Sequence, residues 1–284
     1  MTYQTITPAD LAIPLRDLRF SQKVSHRARW WHSGDPVPTA FFNALSCTFP
    51  AGEKFFMDSV RFYRRNVGEP LRTQIQGFVA QEAVHSREHH AFNALAADSG
   101  YSVATLEERT KRILDRARRR TQIEQLAATC ALEHFTAILA HYLLSTDSRD
   151  MDGAPVEAAR LWSWHAMEEI EHKAVAFDTF MEVTKDWSRL RRYMLRTRAM
   201  VLATIILFYT VGANMRSLYK QDKLRGPRIW MRTLHFLLFK PGPLARIFPD
   251  YMSYYKPGFH PWDHDDRELL TRTAAMLERT AEAA

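Results

Sequence analysis

Glycine and cysteine are both scarce in this sequence, with 10 and 2 residues respectively among 284. Long stretches lack both glycine and proline. A β sandwich or barrel needs frequent turns, so this scarcity argues against one and favours helices. The cysteines, Cys47 and Cys130, stand far apart and form no CxxC pair. They read as reduced, buried thiols of a cytoplasmic protein, since a disulfide framework needs more. No internal repeat or low-complexity linker is present. The N-terminus has no basic segment followed by an apolar one, so no export signal is visible. No Rossmann fingerprint or flavin motif appears either.

Hydrophobic residues make up 46% of the chain and charged residues 25%, enough for a sizeable core and unlike a disordered chain. The net charge is +7. Basic residues cluster at Arg116, Arg118, Arg119 and Arg120, and again between Arg189 and Arg198. Neither run has interleaved aromatics or a nucleic-acid-binding motif, so both read as solvated helix faces and no nucleic-acid partner is expected.

Residues 1–38 read as an irregular arm, with Pro14, Pro36, Pro38 and Trp30-Trp31. Residues 39–185 read as a four-helix metal-binding core. Its first helix covers Thr39 to about Asn66, bent or restarted at Pro50-Ala51-Gly52. The second covers about Leu71 to Asp98, stopped by Ser99-Gly100. The third covers about Thr105 to Leu144, in one piece or two, and the fourth about Pro155 to Val183. Residues 186–284 add further helices and a C-terminal cover to the same domain. Within them, Ala199 to Met215 carries no charge and has basic residues on both sides. That run is just short of the roughly 20 residues that span a bilayer. It suits a helix buried against the bundle, and its flanks leave open a peripheral membrane contact through 189–220.

One pattern occurs twice. The second helix contains GFVAQEAVHSREHH, with Glu82-x-x-His85, and the fourth contains WHAMEEIEHKAVAFD, with Glu169-x-x-His172. Residues three apart share a helix face, so each carboxylate and imidazole can converge on one ion. Two such helices, with one inward glutamate from each of two others, make a di-iron carboxylate bundle. Glu133 is the lone carboxylate of an apolar run, and Glu53 is preferred over Asp58 on the first helix. His165, four residues before Glu169, offers a third histidine ligand or a hydrogen-bond partner behind one. His89 and Glu168 are expected to stand behind the ligands, and His90 and His134 to point elsewhere. Thr136, one turn after Glu133, faces the same cavity. Its hydroxyl either guides oxygen or a proton, or bonds back to its own helix.

The segments FPAGEKFF, GFVAQEAVHSREHHAFN, ALEHFTA, WHAMEEIEHKAVAFD and the late YKPGFHPWD resemble the bacterial family of predicted metal-dependent hydrolases, over about residues 15 to 270. The ligand order is also similar to that of the di-iron arylamine N-oxygenases, which are ferritin-like and carry an extra histidine ligand. Their His-x-x-x-Glu-x-x-His is matched by His165, Glu169 and His172. Together these imply an all-α, ferritin-like four-helix bundle with additional C-terminal helices.

The leading expectation is a pair of iron ions, with manganese an acceptable substitute, that activates molecular oxygen to oxidise an organic substrate. Electrons would come from an external donor. The alternative is a hydrolase in which two metals activate a water, and the third reading is a ferritin-like metal-binding protein without catalysis. The apolar run suits an apolar substrate such as a fatty-acyl chain, and a homodimer is compatible with all of these readings.

Overall fold

A computed structural model describes residues 7–8, 11–20, 28–145 and 148–282. The fold is all-α, as expected, with no strand among the described residues. The helices are α1 (Pro36–Ser46), α2 (Phe49–Phe62), α3 (Leu71–Asp98), α4 (Val103–Ala117), α5 (Gln122–Leu144), α6 (Val156–His172), α7 (Val175–Val183), α8 (Arg189–Gln221), α9 (Pro227–Leu238), α10 (Pro243–Ser253) and α11 (Arg267–Glu282).

Local chemistry explains most boundaries. Asp35 caps α1 by accepting a hydrogen bond from the Val37 amide. Pro50 lies in the first turn of α2, where its missing N–H leaves no gap. The expected long first helix is therefore two helices, α1 and α2, and Pro50 begins the second rather than bending a continuous one. α3 runs over the expected residues and stops at Gly100, whose φ of +93° suits glycine alone. The third helix is also two, with α5 opened by a capping box between Thr121 and Glu124.

The expected fourth helix breaks between His172 and Val175, giving α6 and α7. No glycine or proline marks that break. Lys173 lies in it, buried, and donates to the carbonyl of His264 and the carboxylate of Asp266, so a tertiary contact 93 residues away stands at the break.

α2 packs on α3 and α5, and α6 packs on α5 and α3, so these four helices form a ring. Apolar clusters fill the ring above and below its polar centre. Phe55, Ile75, Phe78 and Leu126 lie in one, and Phe92, Leu106, Trp164 and Met167 in another. The segment 11–20 lies across the outside of the ring. Gly77 on α3 lets it approach, because a Cβ there would meet Ile13 at 2.9 Å. α8 lies against α5 and α1 through Met200, Ala203, Asn214 and Leu218. Its other side leaves Leu202, Ile205, Ile206, Phe208 and Tyr209 exposed, so only part of the apolar run is buried against the bundle. α8 is long and apolar enough to cross a membrane by length and composition.

Candidate metal centre

Seven side chains meet at the middle of the ring. α2 supplies Glu53, α3 supplies Glu82 and His85, α5 supplies Glu133, and α6 supplies His165, Glu169 and His172. All seven are at least 95% buried. Their donor atoms form two groups that share His85, one with Glu82, Glu169 and His172, the other with Glu53 and His165, and within each group every atom lies within 4.8 Å of the others. Glu133 joins through His172, whose Nδ1 is 3.2 Å from its Oε2. The helical spacing of three or four residues puts both members of each pair on one face, and the ring turns those faces inward.

The polar atoms here are under-satisfied. Among the described residues, both oxygens of Glu53 and of Glu82, Oε1 of Glu133, Oε2 of Glu169, Nδ1 of His85 and Nε2 of His172 have no hydrogen-bond partner. Leaving one ionised group in that condition costs several kcal/mol, and four carboxylates in one dry space repel one another. Burial pushes Glu53 and Glu82 well above the usual carboxylate range, reinforced by neighbouring carboxylates. Burial also raises Glu133 to about 7. Burial alone would lower His172, but its bond to Glu133 and the surrounding negative charge raise it to about 9. Burial and the charge of His85 bring His165 down to about 4. Burial would raise Glu169, yet its contact with His165 and the charges of the surrounding histidines hold it near about 2. Cations placed among these atoms would satisfy the whole set, and carboxylate and imidazole donors suit metal ions such as iron or manganese.

The residues behind the donors orient them. Glu168 accepts from His85 Nε2 at 3.0 Å, and its other oxygen accepts from Trp164 Nε1 and Arg16, each at 3.0 Å. That arrangement puts the His85 proton on Nε2 and turns the Nδ1 lone pair toward Glu82 and Glu169, 3.8 and 3.6 Å away.

A second chain runs from His165. Ser46 donates to Asn93 Oδ1 at 2.7 Å, so its oxygen is the acceptor for His89 Nδ1 at 2.9 Å. His89 Nε2 then accepts from His165 Nδ1 at 2.5 Å. His165 Nε2 is left as a lone pair beside Glu169 at 2.7 Å and Glu53 at 3.7 Å, the tautomer a ligand needs. Phe49 packs on His165 and His89, Phe78 on His172 and Trp164 on His85, which keeps the centre apolar around its polar middle.

The structure thus brings Glu53, Glu82, His85, Glu133, His165, Glu169 and His172 together, with His89 and Glu168 in contact behind them. Asp58 points outward to Lys54 and Arg118. His90 is exposed, and His134 is buried in the core, 3.1 Å from the carbonyl of Asp250. The Thr136 hydroxyl donates to the Glu133 carbonyl at 2.9 Å, the back-bonded arrangement, while the residue lines a neighbouring cavity. Sequence reasoning missed Arg16, Ser46, Trp164 and Asn93. Arg16 lies in the irregular arm, where no periodicity ties it to α6, and Ser46 and Asn93 carry no local mark. A third cluster, His141, His264 and Asp266, stands apart from the cage, and there Lys173 already supplies a cation 2.6 Å from Asp266.

The cavity beside the cage has a volume of about 700 Å³. His165 and Glu169 form part of its wall, together with Phe49, Phe55, Phe135 and Leu139.

An all-α protein with a buried cage of this composition is a metal-binding protein. Its sequence matches the family described as predicted metal-dependent hydrolase over residues 14–265, and the chain belongs to that family. No curated protein and no solved structure was found to match it. The family points to a metal-dependent enzyme and supports the hydrolytic alternative better than the oxygen-activating reading.

Proposed function

We propose that the protein is a dinuclear metal-dependent hydrolase acting on an apolar substrate, with its ions held inside a ferritin-like ring of α2, α3, α5 and α6. The observation that carries this reading is the set of eight buried donor atoms without hydrogen-bond partners among the described residues, drawn from six of the seven converging side chains. Seven such side chains, several able to use both oxygens, exceed what one ion coordinates.

Bound there, divalent ions would supply the Lewis acidity that activates a water and stabilises a developing oxyanion. The chain supplies the remainder. His165 and Glu169 present the cage to the cavity, so the substrate meets it on the α6 side. Oε2 of Glu169 has no hydrogen-bond partner among the described residues and would help hold the ion that lies nearest the cavity. Phe49, Phe55 and Phe135 wall the cavity and keep bulk water from the reacting group.

Oxygen activation by an iron-loaded form is the second reading. The donor set favours it, because four glutamates and three histidines without a thiolate make a site that iron occupies readily.

One comparison separates the two. Metal-free protein is reconstituted anaerobically with ferrous iron, manganese or zinc, metal per chain is counted, and cleavage of nitrophenyl esters of increasing acyl length is followed with and without oxygen. Hydrolysis that zinc supports and oxygen does not affect, lost in Glu169→Ala, is the expected result. Oxygen uptake seen only with iron, without ester cleavage by any metal, would reject hydrolysis in favour of the second reading.

A further inference from the structure

The cavity has two chemically different ends. His165 and Glu169 are its buried end. Its middle, between α2, α4, α5 and α8, is lined by Phe55, Phe56, Leu132, Phe135, Leu139 and Ile206. Its volume of about 700 Å³ lies inside the range of roughly 300–1,000 Å³ typical of sites for drug-sized ligands.

The exposed rim is basic. Arg116 near the end of α4, Arg120 just after it and Arg198 on α8 all border the opening. None of the three forms an ion pair among the described residues. Glu124 also borders the rim, but its carboxylate is engaged by the backbone and hydroxyl of Thr121. Arg120 and Arg198 line the same cavity as Glu124 and add to the lowering of its carboxyl that the Thr121 bonds begin. Three cations beside one committed carboxylate leave an excess positive charge at the mouth of an apolar tube.

We propose that this cavity binds a long-chain aliphatic molecule with a single anionic head. The head, of the carboxylate class, lies among Arg116, Arg120 and Arg198, and the chain runs inward so that an ester or amide bond in its far part, the bond a hydrolase would cleave, reaches the cage at Glu169. Guanidinium groups recognise a carboxylate through charge-assisted hydrogen bonds, and the aromatic and aliphatic wall takes the chain by removing it from water. The assignment rests on the proposed function only for the reaction at the inner end. Binding itself requires the cavity and its rim, with or without metal.

The test is fluorescence titration with a fluorescent long-chain carboxylate, displaced by palmitate, by methyl palmitate and by hexadecyltrimethylammonium, all below their aggregation concentrations. Wild type, a double variant Arg116→Glu/Arg198→Glu and Glu169→Ala are compared in metal-free form. Palmitate should bind at one site per chain and at least about tenfold more tightly than the neutral ester or the cation. The double variant should lose that preference while keeping its melting temperature. Glu169→Ala should still bind palmitate, so the ligand assignment stands even if the metal reading fails.

Equal affinity for acid and ester, or an unchanged preference in the double variant, would overturn the proposal. Co-sedimentation with phosphatidylglycerol vesicles without binding of free palmitate would also overturn it, assigning the basic rim to a membrane surface. A Leu139→Trp variant, checked for folding by circular dichroism, should weaken palmitate binding by narrowing the tube. Unchanged affinity there would place the ligand outside the cavity.

Discussion

At the scale of single residues, the cage is held by groups that never face its centre. Ser46 has one proton, and giving it to Asn93 forces the tautomers of His89 and then His165. Ser46→Ala removes the acceptor for His89 Nδ1 at little steric change. Metal affinity should fall roughly 10- to 100-fold, as for other outer hydrogen-bond partners of histidine ligands, and chelator competition measures it. An unchanged affinity would mean that His165 is oriented without the relay. The unpartnered carboxylates give a second prediction. Glu53 is held well above the usual carboxylate range by burial and by Glu82, so its charge burdens the metal-free form. Glu53→Gln should leave the metal-free protein at least as stable and shrink the rise in melting temperature on adding metal. A metal-free variant that melts well below wild type, with the metal response intact, would contradict that role.

At the scale of elements, helical periodicity carried much of the information. Two Glu-x-x-His pairs and the lone Glu133 were legible because a spacing of three puts partners on one helix face, and a charge in an apolar run needs a partner. Pro50 and Ser99-Gly100 were legible as local punctuation, and of the bend or restart expected at Pro50 the restart is what the fold has. The break between α6 and α7 was not legible, because what stands at it is the side-chain contact of Lys173 with Asp266, a residue no local pattern connects to it. Arg16 was illegible for the same reason, as its partners Glu168 and Glu171 are about 150 positions away. The exposed apolar face of α8 was half legible, since periodicity shows an apolar helix without showing which side the bundle covers. Local signals do govern α5, whose first turn is held by the Thr121–Glu124 box. Thr121→Ala should lower stability by about 1 kcal/mol, read from denaturant unfolding with an unchanged m-value. A loss well above 2 kcal/mol would show that Thr121 does more than cap the helix.

At the scale of the whole molecule, two carboxylates tie segments far apart in sequence to the helices around the cage. Asp178 on α7 accepts from Thr7 Oγ1 at 2.7 Å and lies 2.9 Å from His260 Nε2, so both end segments meet on one side chain. Asp266, just before α11, receives Lys173 Nζ at 2.6 Å, His141 Nδ1 at 2.7 Å and His264 Nδ1 at 3.3 Å. Burial alone would raise Asp266, but the bonds from His141 and His264 and the charge of Lys173 hold it far below the ordinary value. A carboxylate depressed by folding contributes stability above its unfolded value of about 4, and the contribution fades as pH falls through the folded value. His264 is raised, first by its bond to Asp266, so its share is complete below about pH 6.5 and is lost as pH rises through the folded value. The two dependences overlap between about pH 4 and 6.5. Asp266→Asn should therefore destabilise the protein most in that window, and the gap in melting temperature from wild type should narrow below pH 4. A gap that stayed constant from pH 3 to pH 8 would mean that Asp266 acts by packing alone and that charge does not hold the C-terminal segment to α5 and α6.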